Sequence, residues 1–202
     1  MASIPVINAL TDVDHPTQLL ADWLTIRENF GTDIAGRKFV YLGDGNNMSH
    51  AWLIMGAIMG AHVVAATPSG KWAPDPVVVA VAKNIAANSG GKVEVTNDPE
   101  DAAKDASVLY TDVWMSMGDS ESDRKEKVQA LSPFAVTEQL MKLASKDSLF
   151  MHCLPAHRGE EVEANVIDGP RSVIWREAYH RRTTIQSILY HLVRGDLKGY
   201  TH

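Results

Sequence analysis

Six short apolar segments recur along the chain, and the stretches between them carry helical spacing or loop residues; this alternation limits the fold more than any other feature. The segments are residues 38–43, 62–66, 92–95, 107–110, 148–151 and 172–175. Between them the spacing predicts helices over 16–30, from just after Asn47, and over 77–88, 99–104 and 136–144. A final helix carries Ile185, Ile188, Leu189 and Leu192 and stops near Gly195. Short buried strands separated by helices suit parallel pairing, because a parallel neighbour needs a crossover that a hairpin turn cannot supply. The first helix has clear punctuation. Pro16 follows Asp14-His15 at a position where a missing N–H costs nothing, and Gly31 ends a face of Leu19, Leu20, Trp23, Leu24 and Phe30. Residues 119–127 are charged and lack an apolar face, so no core-facing helix is expected there.

Composition then narrows the chemistry. A chain of 202 residues can bury one substantial core, and a net charge of -6 removes the electrostatic footprint expected of a nucleic-acid binder. The single cysteine, Cys153, cannot form an intrachain disulfide and points to a reducing, cytoplasmic setting. Residues 1–14 lack a basic patch followed by an apolar run, so no signal peptide is expected. The most apolar stretch, 51–66, is too short to cross a bilayer and is interrupted by His62, so no membrane partner is expected either.

In parallel α/β sheets, ligands sit beyond the carboxyl ends of the strands. Four predicted strands are followed there by polar or unusual runs: Asp44-Gly-Asn-Asn47, Asp112 through Gly118, His152-Cys-Leu-Pro155, and Arg176 to Arg181. Each has a plainer reading. The Gly43-Asp-Gly45 turn resembles a dinucleotide fingerprint, yet Met48 replaces its third small residue and no acid ends the next strand. It reads either as a tight turn capped by Asn or as a binding turn in which the Asn47 amide meets an amino-acid head group. Asp112 can pair with an ammonium group or cap a helix. Cys153 can be a nucleophile or a small buried hydrophobe. A metal site is disfavoured, since no second cysteine lies nearby and His157 is the only spaced partner. His15 and Gln18 stand at a helix start that favours anions, and Arg181 with Arg182 can bind phosphate or face solvent.

Four runs together carry a resemblance: residues 5–12 with His15-Pro-Thr-Gln18, Leu42 through Asn47, Asp112-Val-Trp-Met-Ser-Met-Gly118, and Met151 through Glu161. In that order and spacing they resemble the ornithine carbamoyltransferases across nearly the whole chain. The resemblance implies an α/β, Rossmann-like three-layer domain with a central parallel sheet and helices on both faces. It implies transfer of a carbamoyl group from carbamoyl phosphate to L-ornithine, with neither metal nor organic cofactor. By the same resemblance, Asn47, Asp112, Ser116 and Met117 hold ornithine. His15, Gln18, Cys153, Leu154 and Arg181 contact carbamoyl phosphate, with Cys153, Asp112, His15 and Arg181 as the catalytic set. The charged 119–127 segment resembles the family's mobile loop that closes over ornithine.

Two departures from the family pattern stand out. Glu177-Ala178 is followed by Tyr179-His180 where the family has Glu-Asn before the arginine. No Ser-Thr-Arg-Thr phosphate loop occurs in these 202 residues. Residues 1–202 are therefore expected to be one ornithine-binding domain. Residues 1–34 would link it to a carbamoyl-phosphate domain, and a helix within 182–202 would pack back on that domain. Family members work as trimers. The chain alone is expected to turn over weakly or not at all. The alternatives are a non-catalytic amino-acid-binding module, or half of a putrescine or other amine carbamoyltransferase.

Overall fold

The computed structural model describes residues 5–32, 34–115 and 121–195, with side chains of the last range from 124 onward. Five parallel strands, β1 (Lys38–Leu42), β2 (His62–Ala66), β3 (Lys92–Thr96), β4 (Val108–Thr111) and β5 (Leu149–His152), lie in the order β3-β2-β1-β4-β5. The helices are α1 (Pro16–Phe30), α2 (Asn47–Ile58), α3 (Pro76–Ser89), α4 (Pro99–Ala103), α5 (Glu121–Leu131), α6 (Glu138–Leu143), α7 (Ala164–Ile167) and α8 (Ile174–Arg194).

Alternation along the strands divides the core in two. Phe39, Tyr41, Val63, Ala65, Tyr110 and Met151 face one way and bury with Trp23 of α1 and Trp52 of α2. Val40, Leu42, Val64, Leu109 and Phe150 face the other way and bury with residues of α4, α6 and α7. Burial on both faces explains why the inner strands β1, β2 and β4 read as continuous apolar runs, whereas the edge strand β3 alternates. The expected three-layer α/β architecture is present. Among the described residues, no helix is long and apolar enough to cross a membrane.

Three expectations need correction. Residues 172–175 do not form a sixth strand: Ser172 makes only an isolated bridge to Phe150, and Ile174 already begins α8. Phe150 donates to the Arg171 carbonyl and accepts from the Val173 amide, after which the chain turns into helix. The charged segment, where the spacing predicts no helix, enters α5 at Glu121. Its anchor is polar: the Lys127 ammonium, almost fully buried, lies 2.9 Å from the Asp44 carboxylate after β1. The helix expected over 136–144 begins two residues later, because Val136 bonds to the 161–163 segment while Thr137 caps the helix through the Leu140 amide.

The order of the strands fixes where a site can be. The chain runs outward from β1 to β2 and β3, then returns to lay β4 on the other side of β1. The carboxyl ends of β1 and β4 thus diverge around a topological switch point, the customary ligand crevice of such sheets.

Candidate functional site

The turn after β1 stays close to the sheet because Gly45 packs on backbone: a Cβ there would lie 2.2 Å from the Ala73 carbonyl carbon. That approach accounts for the glycine. Asn46 starts α2, its Oδ1 accepting from the Met48 and Ser49 amides at 2.9 and 3.2 Å. The buried Tyr41 hydroxyl donates to the same oxygen at 3.2 Å. On its other side, Asn46 Nδ2 donates to Asp112 Oδ2 at 3.0 Å across the switch point.

Asp112 follows β4 directly. Its Oδ1 accepts from the Val113 amide at 2.7 Å and from the Cys153 thiol at 2.9 Å. Burial, and then the negative charge of Asp112, push the Cys153 thiol well above the usual thiol range, so it stays a neutral S–H donor. Cys153 follows β5, and Leu154 after it adopts a left-handed backbone (φ 59) rare for a non-glycine residue. The Leu154 amide donates to His152 Nδ1 at 2.8 Å. Strain of this kind is held in place by its surroundings.

The second half of the site lies where α1 meets α8. His15 is the N-cap of α1 and Gln18 stands in its first turn, while Arg181 comes from α8. Arg181 Nη1 donates to Gln18 Oε1 and lies 3.4 Å from His15 Nε2. Burial and the nearby guanidinium lower the His15 pKa, so a neutral ring accepts from Arg181. The Asp112 charge acts on His15 in the opposite direction, placing the two halves within electrostatic reach.

Behind Gln18 lie Asp22 and Glu177, both fully buried. Gln18 Nε2 donates to Asp22 Oδ1 at 2.8 Å and to Glu177 Oε1 at 3.1 Å. Glu177 Oε2 accepts from the His152 amide at 3.1 Å, just before Cys153.

The structure therefore brings together Asp112, Cys153 and Leu154 at the sheet rim and His15, Gln18 and Arg181 beside it. Asn47 is separate: its Nδ2 donates to the Thr11 carbonyl at 3.0 Å, and the neighbouring Asn46 makes the contact with Asp112. Ser116 and Met117 lie outside the described residues. Sequence reasoning missed Asn46, Asp22 and Glu177. The doubled Asn46-Asn47 was a signal for the first, whereas nothing local distinguishes an acid in a helix that will be buried.

Among the described residues, one group has cation-binding composition: His157, Glu160 and Glu161, whose ligand atoms lie within 4.8 Å of one another. Arg124 of α5 already pairs with Glu160 at 2.5 Å, so an ion would compete with a fixed positive charge. Away from the rim, α8 leaves Trp175, Leu189, Tyr190 and Val193 exposed. A cavity of about 170 Å³ separates Ile188 and Leu192 of α8 from residues 6–8 and the start of α1.

The family model "Aspartate/ornithine carbamoyltransferase, Asp/Orn binding domain" matches residues 35–192. The companion model, "carbamoyl-P binding domain", matches residues 1–28. An ornithine carbamoyltransferase of Pyrococcus abyssi is 51% identical over 199 residues, covering 98% of this chain and 62% of that protein. The solved structure of the Pyrococcus furiosus ornithine carbamoyltransferase superposes with a TM-score of 0.90 at 51% identity, covering 98% of this chain and 62% of that one. For the enzyme of Gloeobacter violaceus the values are 0.86 and 45%, with 95% and 63% covered. The chain spans about 62% of the length of such curated relatives.

Proposed function

The chain belongs to the aspartate/ornithine carbamoyltransferase family, and from that premise we propose that it forms the amino-acid-binding part of an ornithine carbamoyltransferase. In this reaction the side-chain amine of L-ornithine bonds to the carbonyl carbon of carbamoyl phosphate. The carbon–oxygen bond to phosphate breaks, the amine loses a proton, and L-citrulline and phosphate leave.

The observation that carries the reading is the Asp112 carboxylate at the switch point, held by Asn46, the Val113 amide and the Cys153 thiol. A carboxylate fixed by three donors beside an open rim suits the ammonium of a diamino acid, and its position costs nothing to organise when substrate arrives. Asn47, Ser116 and Met117 complete the ornithine side in this reading. His15, Gln18, Arg181 and the Cys153-Leu154 backbone face carbamoyl phosphate. Arg181 neutralises phosphate charge, and the neutral His15 ring, released from Arg181 when the guanidinium turns to phosphate, donates from Nε2 toward the developing oxyanion. The thiol, kept protonated, orients the incoming amine rather than attacking.

The partners are L-ornithine, carbamoyl phosphate and a carbamoyl-phosphate-binding domain that packs against the exposed face of α8, in the same polypeptide or a separate one. A trimeric assembly and a cytoplasmic setting go with this reading. Residues 1–34 act as the connection to that domain.

Calorimetry with L-ornithine, with and without carbamoyl phosphate, tests the acceptor side. Citrulline formation before and after adding the separately produced carbamoyl-phosphate domain of a relative tests the rest. Ornithine binding, with citrulline formed only after the domain is added, is the expected result. Ornithine binding with no citrulline in either case favours the non-catalytic module. Absence of ornithine binding under every condition refutes both.

A further inference from the structure

We propose that Asp22 and Glu177 share one proton as a buried pair, and that this pair is a positioning device that orients Gln18 and through it Arg181 and His15. The role assigned to it rests on the anion-binding side of the function proposed above.

An amide has one donating end and one accepting end. Gln18 commits its donating end to both carboxyl groups, at 2.8 Å to Asp22 and 3.1 Å to Glu177. Its accepting end must then face away from them, and there it takes the Arg181 guanidinium N–H. The same Nη1 lies 3.4 Å from His15 Nε2. The orientation of Gln18, and with it the placing of Arg181, follows from which atoms stand behind it. If an amide replaced either acid, a donor would face Gln18 Nε2 as readily as an acceptor, and the preference would weaken.

The pair also joins three elements. Asp22 belongs to α1 and Glu177 to the first turn of α8, while Glu177 Oε2 accepts from the His152 amide at the end of β5. His152 immediately precedes Cys153, so the pair touches the framework of both halves of the site.

Two fully buried acids that share the Gln18 Nε2 donor are poorly placed to be ionised together without a cation directly bound to them. The groups facing the pair are Gln18, the buried Tyr110 of β4, and Arg181 of α8, with Cys153 and Asp112 further along the rim. Arg181 is the only cation among them, and its Nη1 is directed to Gln18 and His15. Burial accordingly raises both acids. Asp22 is pushed up to about 7, and Glu177 well above the usual carboxylate range by burial and then by the charge of Asp22. At neutral pH and below, the pair retains a proton, and it becomes doubly negative only on the alkaline side.

The test is an NMR pH titration of the described chain itself, without substrate, following the Gln18 side-chain amide and the His15 ring, repeated with inorganic phosphate as probe. In the wild type both signals are expected to report a common titration step that neither owns. Asp22→Asn and Glu177→Gln, near-isosteric changes, should each abolish that step, and phosphate should bind more weakly on its alkaline side. If the pair only buttressed the fold, the Gln18 and His15 signals of the wild type would not follow its titration. Absence of the step in the wild type overturns the inference without any variant. A step that survives in both variants overturns it equally. A wild-type step with no response of these signals to phosphate leaves the pair standing and refutes the anion-binding reading instead.

Discussion

Replacing Asn46 by alanine should destabilise the chain by about 2–4 kcal/mol, although the residue is only half-buried and makes no large apolar contact. Its Oδ1 caps α2 through two amides, at 2.9 and 3.2 Å, and losing an N-cap of this type costs about 1 kcal/mol. The buried Tyr41 hydroxyl then has no acceptor at 3.2 Å, a loss of roughly 1–3 kcal/mol where water cannot follow. Asp112 loses one of three donors but keeps the Val113 amide and the Cys153 thiol, so that contribution is the smallest. For a chain of this size about 1 kcal/mol corresponds to a Tm change of roughly 2–4 °C, giving a fall of about 5–15 °C. Urea unfolding followed by circular dichroism measures the free energy, and scanning calorimetry the Tm. Asn46→Asp separates the contributions: it keeps the acceptor for the cap and for Tyr41 but sets a second carboxylate against Asp112. The repulsion raises both acids, so the aspartate variant should approach wild type in acid and fall behind as pH rises. An Asn46→Ala variant within about 0.5 kcal/mol of wild type would show that the cap and the Tyr41 bond are replaced by solvent, and the reasoning would fail.

Gly45→Ala should cost about 1–3 kcal/mol, because its Cβ would meet the Ala73–Pro74 backbone at 2.2 and 2.3 Å and one strand of chain must move; thermal melts decide it. Stability should decline as pH rises from about 4 to about 7, since Asp22, raised to about 7 by burial, holds a proton in the folded chain that the unfolded chain has already released. The Asp22→Asn variant should flatten that slope in pH-dependent urea melts, and an unchanged slope would contradict the assignment. Cys153 should be alkylated at pH 8 far more slowly in the folded chain than in urea, because burial and Asp112 keep it a thiol; equal rates measured by mass spectrometry would contradict this. Val193→Asp, at a position 89% exposed, should leave stability within about 0.5 kcal/mol yet weaken association with an added carbamoyl-phosphate domain in sedimentation.

What was legible in the sequence follows the range of the forces involved. β2 was read to the residue, because a run of apolar, β-rich residues encodes a buried strand locally. So was α1, whose Pro16 and Gly31 punctuate it without help from the rest of the fold. Residues 172–175 carry similar composition and still become the start of α8. Beside β5 the backbone at 171–173 finds only two ladder bonds, and tertiary context overrides local preference. The reverse happened over 121–127, where the charged sequence shows no apolar face and the helix is fastened by Lys127 to Asp44, eighty-odd residues away.

The same distinction runs through the site. Asp112, Cys153, His15, Gln18 and Arg181 could be named because they occupy motifs at strand ends and helix starts, where polar residues have a geometric reason to stand. Asp22 and Glu177 could not, because an acid in a helix ordinarily faces water, and only the packing of α1 on α8 makes these two buried. Asn46 went unnamed beside Asn47 for the same reason. Either amide fits the turn, and that Tyr41 and Asp112 meet Asn46 across the switch point is set by tertiary packing. Rim residues placed by strand ends and helix starts thus carry a local signature, whereas those packed behind them reveal themselves only through partners distant in the chain. The positioning shell is for that reason where substitutions guided by sequence alone will most often misjudge the cost.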